Sequence, residues 1–397
     1  MGVFMNKVQL KLDFEGFAAK AKEHFNDRVY TDFLRRFAYG TDASCYRYIP
    51  KVVIRAFDES EIQTICALAQ EFETPLTFRA AGTSLSGQAS SESVLVIANA
   101  RWQKIKVSDD KKSIFLDCGV IGCEANEALK PYSLKIGPDP ATINNAMIGG
   151  IFNNNSSGMC CGVKQNSYNT IKSVRVILRD GTILDTSDNA PEGENLASFV
   201  KTHGELVEKL MALRNTVVAD KELVKLIERK FKIKNTTGYS INSLVDFSEL
   251  KDILNHIFIG SEGTLAFTSR VEYECVEDSA FKSCALLHYA SLDQAAVAVK
   301  VLAKNQDIVS SAEIMDYQCL KSAQDLDNAP AELKDIKEGQ CALLVQLEAA
   351  DKATLDKKIA KVTALIEPAK SIYGTHFDSD PKKMESNWTI RKSILPL

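Results

Sequence analysis

The chain has 397 residues, enough for two or three domains, and its apolar and charged fractions of 45% and 25% are those of an ordinary soluble globular protein. Its net charge of −4 argues against a nucleic-acid partner, because such proteins usually carry a basic surface. No apolar run approaches the roughly 18 to 20 residues that cross a bilayer, and the N-terminus lacks the pattern of a secretory signal, so the sequence predicts a cytoplasmic protein without a transmembrane segment.

The first half of the chain predicts alternating strands and helices. A charged, helical segment over residues 1–45 precedes a strand over 51–57. Asp58 and Glu61 then have the spacing of a capping box, which predicts that a helix begins there. Strands at 76–79, 94–97 and 114–120 and a short helix at 124–129 follow, and this order is typical of α/β or α+β proteins.

Further along, the sequence predicts a hairpin, a helical stretch and then a second domain. Residues 173–185 form two short strands around a two-residue turn, Asp180-Gly181. Helices dominate from 196 to 232, and the lysine-rich end of this stretch is interpreted as a solvated helix face because acidic residues interleave with the lysines. After residue 276 the pattern of residue types changes, which predicts a domain boundary near 275. The elements predicted beyond it are a helix at 292–305, a polar connector at 325–340, a strand at 342–347 and a helix at 352–366.

Cysteines and histidines form no recognisable pattern. The ten cysteines include no Cys-x-x-Cys, and most lie in apolar segments, which favours buried reduced thiols over disulfides. The five histidines include no His-x-His or His-Glu-x-x-His pair. The sequence therefore contains no local metal motif and no metal site is assigned, although residues that are distant in the chain could still meet in the fold.

The most informative segment is the loop at residues 79–88, which reads RAAGTSLSGQ and follows a predicted strand. Glycines let the backbone turn sharply, so that successive N–H groups can form a concave anion site. Ser and Thr hydroxyls add donors, and Arg79 adds charge. Such a loop suits a diphosphate; an ordinary surface turn is the alternative, because Gly and Ser are common in turns.

Three further segments combine glycine with small polar residues. Residues 142–158 contain Gly149 and Gly150 followed by amide and hydroxyl side chains, which favours either a ligand contact or a helix with Asn caps. Residues 235–240 read NTTGYS, and residues 259–265 read IGSEGTL. Neither Gly-x-Gly-x-x-Gly at a helix start nor a P-loop occurs, so a dinucleotide bound here requires a different fold.

In order and spacing these segments resemble the FAD-linked oxidases, the vanillyl-alcohol oxidase or PCMH-type flavoproteins, and within them the D-lactate and glycolate dehydrogenase branch. The runs RAAGTSLSG, GPDP, IGGIFNNNSSG and GSEGTL carry the resemblance, which extends from about Asp42 to the C-terminus. It implies an α+β fold. The helical segment 1–45 would precede a PCMH-type FAD-binding domain of two α+β subdomains over 46–275, and an incomplete α+β substrate cap, the FAD-linked oxidase C-terminal domain, would cover 276–397.

The resemblance also implies which residues bind FAD. The diphosphate loop would consist of Arg79, Ala80, Ala81, Gly82, Thr83, Ser84, Gly87 and Gln88. The flavin would be lined by Pro138, Asp139, Thr142, Gly149, Gly150, Asn153, Asn154, Ser157 and Gly158. Near the adenine or the ring edge would lie Glu262, Gly263, Thr264 and Leu265. No histidine lies in the 79–88 loop, where some relatives attach the flavin, so non-covalent FAD is expected, with a cysteine link as the alternative.

The chain departs from the family pattern in several places. Ala80 and Ala81 replace the usual glycines, and a Gly-Met-Cys-Cys-Gly run at 158–162 replaces a commoner segment. Cys160 and Cys161 lack cluster spacing and are interpreted as packing residues. The histidine-containing stretch that ends the family's cap is not found. We therefore expect a truncated chain that binds FAD, lacks the catalytic base and turns over weakly or not at all.

The function implied by the resemblance is oxidation of a D-2-hydroxy acid, of the D-lactate or glycolate class, by hydride transfer to flavin N5. Arg391, in a Trp-x-x-Arg segment, is the candidate catalytic residue that binds the substrate carboxylate, with a solvated helix residue as the alternative. Electrons would pass to a quinone, a cytochrome or an iron–sulfur partner, and the protein would be cytoplasmic or peripheral at the inner face of the membrane. Two alternatives stay open: an FAD-binding oxidoreductase of another substrate class, such as a carbohydrate or cell-wall precursor, and a non-catalytic FAD-binding fragment or scaffold.

Overall fold

A computed structural model of the chain describes residues 12–158, 160–326 and 329–393. Within these ranges the chain forms two compact units. Unit 1 contains the residues up to Pro131 together with Ile136–Ser157 and Val163–Val276, and unit 2 contains Tyr132–Lys135, Gly158–Gly162 and the residues from Glu277 onward. The mixture of helices and sheets confirms the α+β class. The first eleven residues of the predicted N-terminal helical segment, and Met159 of the Gly-Met-Cys-Cys-Gly run, lie outside the described residues.

Unit 1 begins with a four-stranded sheet in the order β1-β2-β4-β3, in which β2, β4 and β3 are parallel and β1 is antiparallel. Its strands are β1 (Val29–Tyr30), β2 (Val52–Arg55), β3 (Leu76–Arg79) and β4 (Val94–Ile97). The helices of this region are α1 (Phe14–Phe25), α2 (Phe33–Ala38) and α3 (Glu59–Glu71), with a 3-10 turn at Asn26–Arg28. Apolar faces of α1 and α3 pack on the sheet around Phe17, Ile62 and Ile65.

Only half of the capping box predicted for α3 forms. The Asp58 carboxylate accepts a hydrogen bond from the Glu61 N–H (3.0 Å), as the N-cap of a helix does. The Glu61 carboxylate does not accept a hydrogen bond from the Asp58 N–H, which a complete capping box requires. It accepts from the Phe57 N–H (2.7 Å) and from both terminal nitrogens of Arg28 (2.6 Å), because the half-buried arginine offers a bidentate, charge-assisted contact.

A second sheet of unit 1 has the path β5-β6-β10-β8-β9, with antiparallel neighbours. The strands from β5 to β10 are β5 (Ile105–Val107), β6 (Ser113–Asp117), β7 (Leu134–Ile136), β8 (Ile171–Ile177), β9 (Ile183–Asp185) and β10 (Phe267–Glu277). The helices are α4 (Gly122–Leu129), α5 (Ile148–Asn154), α6 (Ser167–Thr170), α7 (Leu196–Thr202), α8 (Gly204–Ala219), α9 (Lys221–Phe231), α10 (Ser243–Asp246) and α11 (Leu250–Ile257), with a 3-10 turn at Lys130–Tyr132.

The predicted hairpin is β8–β9, but the expectation of a two-residue turn is wrong. The Leu178 N–H donates to the Thr182 carbonyl (2.9 Å), and the Gly181 N–H donates to the Leu178 carbonyl (2.9 Å). The connection is therefore a three-residue loop, with Gly181 at φ +85°. A turn closed by a glycine in the left-handed region is the usual way to make a loop of this length.

Unit 2 is built on the antiparallel sheet β11-β13-β12, with helices on both faces. The strands are β11 (Phe281–Tyr289), β12 (Ser311–Met315) and β13 (Cys341–Ala349), and the helices are α12 (Leu292–Leu302), α13 (Tyr317–Ser322), α14 (Lys352–Ile366) and α15 (Pro381–Ser393), with 3-10 turns at Ala331–Asp335 and Glu367–Ala369. Alternate residues of β13 lie on opposite faces of the sheet and belong to two separate cores. Leu343 and Val345 pack with α12 and α14, and Leu344 packs in the same core as Ile390 of α15.

Candidate functional site

The predicted diphosphate loop leaves unit 1's first sheet where β3 ends at Arg79. The guanidinium Nη1 of Arg79 donates to the carbonyls of Tyr39 (3.1 Å) and Thr41 (2.7 Å). A Cβ on Gly82, which has φ +75°, would press against that guanidinium. Arg79 thus ties the start of the loop to residues 39–41, and Gly82 beside its guanidinium is needed both for its backbone angle and for the room it leaves.

Several N–H groups of this loop have no partner inside the protein. Within the described part of the chain, the backbone N–H groups of Gly82, Thr83, Leu85 and Gly87 donate to no protein acceptor, whereas that of Ser86 donates to the Ser84 hydroxyl (3.3 Å). Successive free N–H groups around a turn are what an anion-binding loop offers. An ordinary surface turn, whose N–H groups donate to water, stays the alternative.

The second predicted segment forms α5, and its two glycines differ in surroundings. The Gly149 N–H donates to the Cys118 carbonyl (2.8 Å), and a Cβ on Gly149 would lie 2.8 Å from the Cys118 Cβ. Gly149 is therefore required by packing inside unit 1. Gly150 is exposed, and a Cβ there would meet no atom within 4 Å in the structure.

The C-terminal end of α5 confirms part of the helix-cap alternative. Asn155 ends the helix in the left-handed conformation at φ 56°, a common role for Asn. Asn153 is turned inward, where its Nδ2 donates to the Gly149 carbonyl (2.8 Å) and to the Thr268 hydroxyl (3.1 Å). The Asn154 Nδ2 reaches the next loop and donates to Glu262 Oε1 (2.6 Å).

Glu262 is the point at which the predicted segments meet. Its Oε1 accepts from Asn154 and lies 3.5 Å from the Gln88 Nε2, and its N–H donates to the Asn153 carbonyl (2.9 Å). Burial raises the pKa of this carboxyl. The backbone of Glu262 is left-handed (φ 53°), an angle that costs energy in a non-glycine residue, so surrounding contacts must hold it.

The residues that follow Glu262 lie next to the strand before the 79–88 loop and to the NTTGYS segment. A Cβ on Gly263 would lie 3.6 Å from the Phe78 ring, next to the start of the 79–88 loop. The Thr264 hydroxyl lies 2.8 Å from the Tyr239 hydroxyl, which brings in the NTTGYS segment. Leu265 is exposed beside them. Residues from all four glycine-containing segments therefore lie around one point in unit 1.

For other predicted cofactor residues, no described hydrogen bond leads to Glu262. Pro138 is buried, Asp139 is half-buried, and the Thr142 carbonyl accepts from Asn145 and Ala146 in the turn that leads towards α5. No described hydrogen bond joins Pro138 or Thr142 to Glu262. The Ser157 hydroxyl donates to the Asn155 carbonyl (3.2 Å), which places it just after the helix.

Gly158 and the two cysteines that follow Met159 belong to unit 2. The Gly158 N–H donates to Cys161 Sγ (3.2 Å), and Cys161 is buried. Cys160 is half-buried, and the Gln346 Nε2 lies 3.7 Å from its Sγ as donor. Cys160 therefore has a polar side chain of β13 as a neighbour, and its role as a packing residue stays a prediction.

In unit 2, Arg391 is a partly buried ion-pair member. Its Nε donates to Glu313 Oε2 (3.0 Å), and the two side chains are 22% and 23% exposed. Arg391 is therefore only partly solvated, and its role in substrate binding stays a prediction. A guanidinium has two further nitrogens beyond Nε, so the pair with Glu313 fixes its direction without using its whole donor set.

Sequence reasoning missed Glu313 and Gln346. The Trp388 Nε1 donates to Gln346 Oε1, so Gln346 on β13 and Glu313 on β12 together hold α15 against the sheet. A usable signal was available for Gln346, because it interrupts the otherwise apolar strand Cys341–Leu347 and is itself buried. Buried polar side chains of this kind are normally hydrogen-bonded to something specific.

Comparisons with known proteins agree with these features. A family model described as an FAD binding domain matches residues 50–187, and a model described as the FAD linked oxidases, C-terminal domain, matches residues 279–397. A D-2-hydroxyglutarate dehydrogenase of Haemophilus influenzae is 25% identical over 94% of this chain and 38% of its own length. A D-lactate dehydrogenase of Archaeoglobus fulgidus is 21% identical over 80% of this chain and 58% of its own length.

Among solved structures, an alkyldihydroxyacetonephosphate synthase superposes with a TM-score of 0.65 at 15% identity, covering 98% of this chain and 64% of that one. This likeness concerns the fold. The chain spans well under half the length of the D-2-hydroxyglutarate dehydrogenase that it matches.

The residues of unit 1 fit FAD. A diphosphate requires several N–H donors in a concave arrangement, and the loop from Gly82 to Gly87 supplies donors that the protein itself leaves unused. A flat ring system requires backbone that it can approach closely, and the exposed Gly150 leaves open space beside α5. The position of each part of the cofactor along these segments remains a prediction.

Proposed function

The chain belongs to the FAD-linked oxidases, and from that membership we propose that it is an FAD-dependent oxidoreductase that oxidises a D-2-hydroxy acid. Bound FAD would supply the hydride acceptor at its N5 atom. The observation that carries the proposal is the meeting of four glycine-containing segments around Glu262. Gln88 and Asn154 contact Glu262 itself, and Tyr239 contacts Thr264, two residues further along the same segment.

The residues of unit 1 would bind and orient the cofactor. Free N–H groups between Gly82 and Gly87 would donate to the diphosphate, and the half-buried Arg79 at the start of the loop would add positive charge without a direct bond. Glu262 would tie the loops together. Burial raises the pKa of its carboxyl, whereas the hydrogen bond from Asn154 favours the ionised form that accepts it.

Arg391 would bind the substrate carboxylate. Its pairing with Glu313 through Nε restricts the rotation of the guanidinium, and a planar fork can give a carboxylate two parallel hydrogen bonds. Holding the substrate in one orientation is a large part of what a protein adds to flavin chemistry.

The substrate class rests on relatives whose names specify D-2-hydroxyglutarate and D-lactate, both 2-hydroxy acids. We place the electron acceptor among quinones, cytochromes and iron–sulfur proteins. Within the described ranges, no helix combines the length and apolarity that a membrane crossing requires. Contact with a membrane, at its inner face, would accordingly be peripheral.

An anaerobic reduction experiment tests this function. The purified chain, loaded with FAD and freed of excess cofactor, is mixed with D-lactate, glycolate or D-2-hydroxyglutarate while the oxidised flavin band is followed. We expect at least one D-acid to bleach the band in a single turnover and its L-enantiomer to leave it unchanged. Retained FAD with no bleaching by any of these acids would contradict the oxidation, and no retained FAD would contradict the flavin site as well.

A further inference from the structure

A pair of helices in unit 1, α8 and α9, contributes little to any core. The sixteen-residue α8 has no buried side chain, and α9 has only Ile227. Helices of this length usually gain their stability by burying one face in the protein. A helix pair that buries so little is unusual unless another surface covers it.

Aliphatic side chains on and after α9 are left open. Leu226 is 42% exposed and Ile233 is 67% exposed. On α8, Leu206 and Leu213 are 49% and 52% exposed, and their seven-residue spacing places them on one side of the helix. Single exposed aliphatic residues are normal, but several within one helix pair point to an interaction surface.

The same segment is strongly cationic. Residues 221–234 contain six Lys or Arg and two Glu, a net charge of +4, in a chain whose net charge is −4. Lys225 and Arg229 lie one helical turn apart on the outward side of α9, next to Leu226, and all three are exposed. The ion pair of Lys225 with Glu222 joins side chains that are 70% and 84% exposed, so it neutralises little of this charge.

We propose that α8–α9 and the residues up to 234 form a docking surface for anionic lipid headgroups. The inference rests on the peripheral membrane contact proposed above and assigns it to this surface. Lysines and arginines would contact the headgroups, and Leu226 and Ile233 would enter the boundary between headgroups and acyl chains. Basic helices with aliphatic side chains beside the charges bind membrane surfaces in this way.

An acidic protein partner fits the same residues less well. Lysine is depleted in protein–protein interfaces, whereas five of the six cations in residues 221–234 are lysines. Ile233 is exposed and lies between two lysines. This arrangement suits a bilayer surface, where anionic headgroups lie within a few ångströms of the apolar acyl chains.

Vesicle co-sedimentation tests the proposal. The full chain is mixed at low salt with phosphatidylcholine vesicles, with or without phosphatidylglycerol, and the bound fraction is measured. We expect binding that requires phosphatidylglycerol and weakens as salt is raised, because screening shortens the range of surface charges. The variant Lys225→Glu/Arg229→Glu should lower the partition coefficient by about a hundredfold, and Leu226→Ser/Ile233→Ser by roughly tenfold.

A matched control uses α14, where Lys357 and Lys361 are exposed with the same four-residue spacing. Lys357→Glu/Lys361→Glu makes the same charge change elsewhere and should bind like the unaltered chain. Thermal unfolding and FAD content verify that each variant is folded. Absence of binding to phosphatidylglycerol vesicles, equal binding by the two charge-reversal variants, or unchanged binding by the serine variant would overturn the proposal. None of these measurements requires turnover, so either the docking or the flavin reaction can be disproved without the other.

Discussion

Gly150→Ala lowers the affinity of the chain for FAD by about ten- to a hundredfold, which corresponds to the 1–3 kcal/mol typical of one added carbon in a filled space. In the protein alone that carbon meets nothing within 4 Å, so it has no steric cost without a ligand. Because alanine is a better helix former than glycine, the variant should be at least as resistant to thermal unfolding in the absence of FAD. Fluorescence titration with FAD and a melting curve of the apo-chain measure the two effects.

Two further glycines provide the controls. Gly204 begins α8, and a Cβ there also meets nothing within 4 Å, so Gly204→Ala should leave FAD affinity unchanged. Gly149→Ala would press on Cys118 and should destabilise the apo-chain itself. If Gly150→Ala bound FAD as tightly as the unaltered chain, the cofactor would not approach α5 at this position.

Arg391→Lys lowers kcat/KM for the D-2-hydroxy acid by about a hundredfold, or about 2.7 kcal/mol. Lysine keeps the charge near Glu313 but cannot form the planar fork that gives two parallel bonds to a carboxylate. The expected loss therefore concerns the substrate, and FAD affinity should not change. Flavin bleaching rates at increasing substrate concentration give kcat/KM.

The exposed Lys382, near the start of the same helix, provides a control. Lys382→Gln removes a positive charge from α15 without touching the Arg391–Glu313 pair, and its bleaching kinetics should equal those of the unaltered chain. If Arg391→Lys had the same kcat/KM as the unaltered chain, Arg391 would not be the residue that binds the substrate carboxylate.

Local signals in the sequence predicted local structure well. Asp58 marks the N-cap of α3, and the predicted helix over 352–366 coincides with α14, because capping and amphipathic spacing depend on residues that are close in the chain. The hairpin turn was misjudged because Asp180-Gly181 is compatible with two loop lengths, and only the hydrogen bonds of Leu178 distinguish them.

The candidate site was predictable as a set of segments, but its internal contacts were not. Gln88 and Glu262 are 174 residues apart, and no local rule specifies that an amide from one loop will reach the carboxylate of another. The same holds for Arg391 and Glu313, which are 78 residues apart on different elements. Arg79 was expected to face the diphosphate, whereas the structure bonds it to two backbone carbonyls, a role that becomes visible only when Tyr39 and Thr41 are placed beside it.

Hydrogen–deuterium exchange with and without FAD tests the central claim most directly, because the claim concerns backbone N–H groups that lack a protein partner. We predict that FAD slows exchange together in residues 80–88, around Gly150 and around Glu262, and leaves the exposed helix α14 unchanged. Bound FAD with undiminished exchange in residues 80–88 would contradict the account, because the unused donors from Gly82 to Gly87 would then not be the groups that hold the cofactor.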